Sequence, residues 1–124
     1  MTISEAIIRI DSVKPNSYSQ SEKIKWLSTL DGIVKKEIID VHEGGEGVKF
    51  NEYTDDTVLT TELLIPAPYD EVYLFWLESK IDYWNGEIGK YNNSIIMYNE
   101  AFSNFEKHYN REHMPLRKGK RFLF

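Results

Sequence analysis

One apolar rhythm, running from Leu74 to Tyr109, constrains the fold of this chain more than any other feature. Leu74, Leu77, Ile81, Trp84, Ile88, Tyr91, Ile95, Tyr98, Phe102, Phe105 and Tyr109 follow one another at steps of three and four. That spacing lines one face of a helix. A single helix of about 60 Å and a hairpin folded at Asn85-Gly86 both satisfy it. An unbroken helix would need neighbouring subunits to cover its stripe. We adopt the hairpin, with helices near 69–85 and 89–109, because Asn-Gly is a common helix ending and paired stripes bury more core than a bare one. Leu77, Ile81, Trp84, Tyr91, Ile95, Tyr98, Phe102 and Phe105 are its expected core.

The preceding segments read as shorter partners for this hairpin. Thr2 and Glu5 have the spacing of a capping box, and Ile3, Ala6, Ile7, Ile10 and Val13 then give a short amphipathic helix. Pro15 stops it at Lys14. A second helix starts near Ser19, with Glu22 three residues on, and Ile24, Leu27, Leu30, Val34, Ile38 and Val41 line its buried face. Gly32 inside it marks a close helix contact, a bend, or a tolerated cost of about 1 kcal/mol. Glu43-Gly44-Gly45-Glu46-Gly47 is a turn. It lacks the Gly-Lys-Ser/Thr ending of a phosphate loop, and its carboxylates would repel phosphate. From Val48 to Ile65, the alternation in Val48-Lys49-Phe50 and the run Thr57-Val58-Leu59-Thr60-Thr61 predict two short strands or an extended excursion. Pro66-Ala67-Pro68 closes it. The expected fold is therefore mainly α: one small helical bundle over residues 1–110, with a short β or extended excursion at about 48–65 and an extended tail at 111–124.

With 124 residues, the chain has material for one hydrophobic core. It contains no cysteine, which excludes disulfides and thiolate chemistry. Glu5 and Asp11 interrupt the first apolar run and no basic leader precedes it, so neither a signal peptide nor a membrane span is expected. The net charge of −5 is unevenly distributed: residues 1–110 carry −9 and residues 111–124 carry +4. An acidic body disfavours nucleic acid. In the tail, Arg117, Lys118, Lys120 and Arg121 with Phe122 and Phe124 suit a docking arm on which charges steer and aromatics anchor. Contact with DNA is the alternative reading of the same residues.

No pattern of catalytic residues emerges. His42, His108 and His113 include no pair three or four residues apart, so no metal site is expected. Nucleotide, dinucleotide, calcium and nucleophile-elbow motifs are missing. Asp55-Asp56 reads as a turn, and Glu71, Glu78, Asp82, Glu87 and Glu100 as solvated helix faces. Neither a cofactor nor an enzymatic activity is expected. The Asn92-Asn93-Ser94 glycosylation match falls within a helical pattern and is discounted. Tyr69, Tyr73, Trp76 and Tyr83 form a second aromatic stripe beside the first. They read either as a wide core face or as a subunit interface, since Tyr and Trp favour surfaces that a partner buries. Two apolar stripes on one helix favour self-association.

The segments Glu62-Leu63-Leu64-Ile65-Pro66-Ala67-Pro68-Tyr69-Asp70-Glu71-Val72-Tyr73, Ile81-Asp82-Tyr83-Trp84-Asn85-Gly86-Glu87 and Lys90-Tyr91-Asn92-Asn93-Ser94 carry a family likeness. His42-Glu43-Gly44-Gly45, Tyr109-Asn110-Arg111 and His113-Met114-Pro115 extend it over most of the chain. In these residues the chain resembles the head-tail connector group (adaptor or head-completion proteins) of tailed phages and prophages of Gram-positive bacteria. The resemblance implies a helical, non-catalytic virion subunit that forms a ring, dodecameric in the particle, below the portal protein. Such a ring extends the DNA channel, lets DNA pass without specific binding, and offers a platform to the next neck or tail protein.

Overall fold

The computed structural model describes residues 1–116; Arg117, Lys118, Lys120, Arg121, Phe122 and Phe124 lie outside the described residues. Among the described residues, four α-helices form a small, mainly helical bundle: α1 (Ile3–Val13), α2 (Gln20–Val34), α3 (Val72–Trp84) and α4 (Ile88–Glu112). A π-turn at Lys35–Ile39 continues α2, and one 3-10 turn follows at Gly45–Gly47.

The start of α1 is closed as its sequence predicts. The Glu5 N–H donates to Thr2 Oγ1 at 3.1 Å and the Thr2 N–H to Glu5 Oε1 at 2.9 Å. The next free N–H groups, of Ile3 and Ser4, donate to the carbonyls of Thr61 and Leu59 at 3.1 and 3.0 Å. The excursion before α3 thus seals a helix end whose donors would otherwise lack partners. Ile3, Ala6, Ile7 and Ile10 are buried. Val13 is 65% exposed, contrary to expectation. The buried face continues instead at Lys14, four residues after Ile10, and its ammonium lies 2.8 Å from Asp82.

In α2, Ser19 Oγ accepts the Glu22 N–H at 3.1 Å, and Ile24, Trp26, Leu27, Leu30 and Val34 are buried. At the π-turn the Asp40 N–H reaches back five residues to the Lys35 carbonyl at 2.9 Å. This wider turn inserts one residue into the helical phase. Ile38 and Ile39 consequently both face the core, Val41 is rotated out to solvent and His42 takes the buried position. The expected burial of Val41 fails for that reason. A Cβ on Gly32 would meet only Phe50, at 3.8 Å, so that glycine is tolerated rather than required. Gly44 has φ +84°, which favours glycine, and a Cβ on Gly45 would sit 2.2 Å from the Ile39 carbonyl oxygen. The glycine-rich loop is a tight turn.

Of the two expectations for Val48 to Ile65, strands or an extended excursion, the strands do not form among the described residues. The stretch is irregular, with residues 49–54 outside any regular element, turns at 55–56 and 59–60, and one isolated bridge, Thr2 to Glu62. Its backbone donors find partners other than a neighbouring strand. The Leu63 N–H donates to the Met1 carbonyl, and those of Tyr53, Leu64 and Ile65 donate to Ser28 Oγ, Asp31 Oδ2 and Tyr73 Oη. Tyr53, Leu63 and Ile65 still reach the core.

α3 is central, touching α1, α2 and α4, and is accordingly buried over a wide arc by Val72, Tyr73, Trp76, Leu77 and Ile81. It ends in a Schellman motif. The Glu87 N–H donates to the Asp82 carbonyl at 3.0 Å and the Gly86 N–H to the Tyr83 carbonyl at 3.1 Å, with Gly86 at φ +75°. The chain then returns as α4, so the spine is a hairpin. Leu77, Ile81 and Phe105 are fully buried and Tyr98 and Phe102 pack half-buried against the core, whereas Tyr91 and Ile95, expected in the core, are half-buried nearer the exposed bend where α4 starts. Trp84 is a correction. It is 60% exposed, because the last packed layer is that of Ile81 and Asp82, and Trp84 lies beyond it at the bend. No helix among the described residues is long and apolar enough to cross a membrane.

Candidate functional site

The second aromatic stripe does not stay together as a surface. Tyr73 is fully buried and donates its hydroxyl to Asp31 Oδ1 at 2.6 Å. Trp76 is buried, donates its indole N–H to the Trp26 carbonyl at 2.7 Å, and lies 5.0 Å from the Tyr98 ring. Both belong to this chain's own core, so the expected role of Tyr73 and Trp76 as interface residues is corrected. α3 is covered from several sides, and each polar tip finds its partner within the subunit. Tyr69 is half-buried and stacks on His108 at 4.7 Å. Tyr83 alone of the four is well exposed, at 54%.

What the surface gains in their place is an aromatic tip at the α3–α4 bend. Tyr83 lies edge-on to Trp84 at 5.2 Å and to Tyr91 at 5.6 Å, beside exposed Ile88. Below it, Asn85 Oδ1 accepts the Tyr18 hydroxyl at 2.7 Å and ties the bend to the α1–α2 connection. The apolar exposure continues along α4 at Ile96 and Met97. Of the 25 residues of α4, only Ser94 and Phe105 are buried. A helix so long, covered on one face only, leaves apolar side chains unpartnered in the subunit.

Two flanks of α4 differ in chemistry. On one, a groove of about 330 Å³ runs between α3 and α4, lined by Phe75, Met97 and Ala101 with Glu71 and Glu100 beside them. On the other, His42 is buried with its Nδ1 2.5 Å from the Ile38 carbonyl oxygen and its Nε2 2.7 Å from Asn110 Oδ1. Its ring meets Tyr109 edge-on at 5.1 Å. Past α4 the chain returns to this place. The Glu43 N–H donates to the Met114 carbonyl at 2.8 Å and the Leu116 N–H to the Val41 carbonyl at 3.0 Å.

The buried polar groups hold elements together. Asp31, fully buried, accepts from Tyr53 Oη at 2.5 Å, Tyr73 Oη at 2.6 Å and the Leu64 N–H at 3.0 Å. Burial pushes its carboxyl above the usual carboxylate range, and the three donors offset part of that rise. Burial and the Asp31 charge raise both phenols. Asp82 is also fully buried, which corrects its reading as a solvated acid. Ser94 donates to its Oδ2 at 2.5 Å, and Lys14 Nζ lies 2.8 Å from its Oδ1. Both oxygens of Asp31 and Oδ2 of Asp82 accept hydrogen bonds, and Asp82 Oδ1 is met by the Lys14 ammonium as an ion pair without a hydrogen bond, an arrangement that cross-braces helices. A wider groove of about 750 Å³ lies between α2 and the excursion, over Ile24, Phe50 and Tyr53, with Lys25, Lys36 and Glu52 among its charges. Among the described residues, no three His, Asp or Glu side chains gather as metal ligands. Asp31, Asp82, Lys14 and His42 escaped the sequence reading. The available signal was polar side chains at core positions of otherwise apolar helix faces.

Compared with models of known protein families, with curated proteins and with solved structures, the chain matches none.

Proposed function

We propose that this chain is a structural assembly subunit of a tailed-phage particle. In this reading it is a head-tail connector that forms a ring below the portal, extends the DNA channel and joins the head to the neck or tail. The observation that carries the assembly half is α4, 25 residues long with two of them buried, together with the exposed aromatic tip of Tyr83, Trp84 and Ile88. A subunit that leaves such a surface bare is suited to repeated contact with its own kind or with a neighbour. The connector half rests on the resemblance described above. An acidic body also suits a channel through which DNA slides, because bound phosphates would retard it. The role requires no catalysis, and its place is the virion.

Light scattering over a wide concentration range, with and without a portal protein, tests the reading. A closed ring, or a monomer that assembles on the portal, is the expected result. A monomer indifferent to both concentration and portal overturns it. The compactness of the tip favours a second reading, a small adaptor domain that binds one protein through Tyr83, Trp84 and Ile88. That reading predicts a stable monomer or dimer with a single saturable partner.

A further inference from the structure

Building on the ring reading, we infer that the groove between α3 and α4 receives the basic, aromatic tail of a second copy of this chain. The groove offers Phe75, Met97 and Ala101 as an apolar lining and the carboxylates of Glu71 and Glu100 beside it. The segment following Leu116 is Arg117-Lys118-Gly119-Lys120-Arg121-Phe122-Leu123-Phe124. Its cations match the two acids, and its phenylalanines match a lining that includes a methionine, whose sulfur favours aromatic neighbours.

Geometry assigns the tail to a neighbour's groove. The described chain ends beside His42, on the flank of α4 marked by Asn110. At 100° per residue, Asn110 lies about 180° around α4 from Ala101, the middle of the groove. Residues 117–124 span at most about 26 Å. Passing half-way around a helix about 10–12 Å wide, and rising from the level of Asn110 to that of Asn104, takes up about 20 Å. About two residues would then remain to fill the chain's own groove. A copy placed flank to flank meets the whole segment directly. Donor and receptor on opposite flanks of one helix make a contact that can repeat head to tail, and it closes into a ring where the rotation between copies permits.

The chain has no cysteine, so cross-links can be placed at will in the 124-residue chain. Met97→Cys and Phe122→Cys chains, mixed under mild oxidation, are expected to form the mixed disulfide about tenfold faster than a Val58→Cys chain mixed with Phe122→Cys, because docking raises the local concentration of the pair. Adding Glu71→Lys and Glu100→Lys to the Met97→Cys chain should return the rate to that of the control. Equal rates for the two mixtures overturn the inference. So does a doubly substituted Met97→Cys, Phe122→Cys chain that closes on itself as a monomer. The mass of the same samples separates the two ideas: rings that form without the preferred cross-link refute the tail docking and leave the ring reading standing. Monomers that neither cross-link nor assemble on a portal refute both.

Discussion

Replacing Tyr73 by Phe removes one oxygen atom and creates no cavity, yet the structure assigns it a large cost. That hydroxyl donates to Asp31 Oδ1 at 2.6 Å and accepts the Ile65 N–H at 2.7 Å, both fully buried. Phe leaves the carboxylate oxygen without a donor and the backbone N–H without an acceptor. A hydrogen bond to a charged group contributes about 1.5–3 kcal/mol, and a stranded buried donor costs about 1–3 kcal/mol. Together the expected loss is about 3–5 kcal/mol, out of a total stability of about 5–15 kcal/mol. For a domain of this size that lowers the melting temperature by about 10–20 °C. Tyr53→Phe provides the internal comparison. It removes the donor to Asp31 Oδ2, but the Leu64 N–H still serves that oxygen at 3.0 Å, so its cost should be about 1–2 kcal/mol. Urea unfolding with an unchanged slope measures both variants. If Tyr73→Phe costs no more than Tyr53→Phe, the three-donor clamp on Asp31 is not what holds the excursion to α2 and α3.

Three further outcomes follow from the geometry. Trp76→Ala should cost about 3–5 kcal/mol in urea unfolding and Trp84→Ala less than about 1 kcal/mol, while only the latter weakens association measured by sedimentation; equal costs would refute the division of the stripe. Gly45→Ala must displace the Ile39 carbonyl, 2.2 Å from the new Cβ, and should cost about 2–4 kcal/mol by thermal melting. Gly44→Ala has open space around it at φ +84° and should cost about 1–2 kcal/mol, so the reverse order would refute the argument. The backbone hydrogen bond from Thr2 holds the Glu5 carboxyl below its ordinary value of 4.5. A lowered folded value means stabilisation that is present above the ordinary value and lost as pH falls through the folded one. The stability gap between wild type and Glu5→Gln should therefore narrow as pH falls from the ordinary carboxylate value through the lowered one, and a gap that stays constant would refute the capping role.

Much of the bundle was legible because it is written in local signals. Thr2 with Glu5, Ser19 with Glu22, Pro15 and Asn85-Gly86 mark helix boundaries through side-chain and backbone chemistry that acts within a few residues. The observed caps follow them. What was not legible depends on neighbours distant in sequence. Helical spacing puts Trp84 on the core stripe and Trp76 on the stripe beside it, and only the way α2 and α4 close over α3 makes Trp76 core and leaves Trp84 at the surface. Val41 was misplaced by a single inserted residue in the π-turn, a change of phase that no apolar pattern announces. Asp31 and Asp82 resemble any solvated acid until the tyrosines, the serine and the lysine that engage them are brought up by other elements. The strand-like run at Thr57–Thr61 has the right residue types, but the bundle supplies a helix start where a strand partner would be needed.

α4 is fastened to the body by polar joints near two points, Ser94 on Asp82 and Asn110 on His42. They lie sixteen residues apart, about 24 Å along its axis. Between them its outer side is free. Mechanically this is a stiff rod resting on two bearings, with the aromatic bend overhanging one and the chain's return at Leu116 beside the other. A push on Trp84 is therefore delivered at the far bearing as tilt rather than absorbed as bending. The joint that must yield there is the one hydrogen bond between His42 Nε2 and Asn110, while the Nδ1 contact to Ile38 stays within the α2 side.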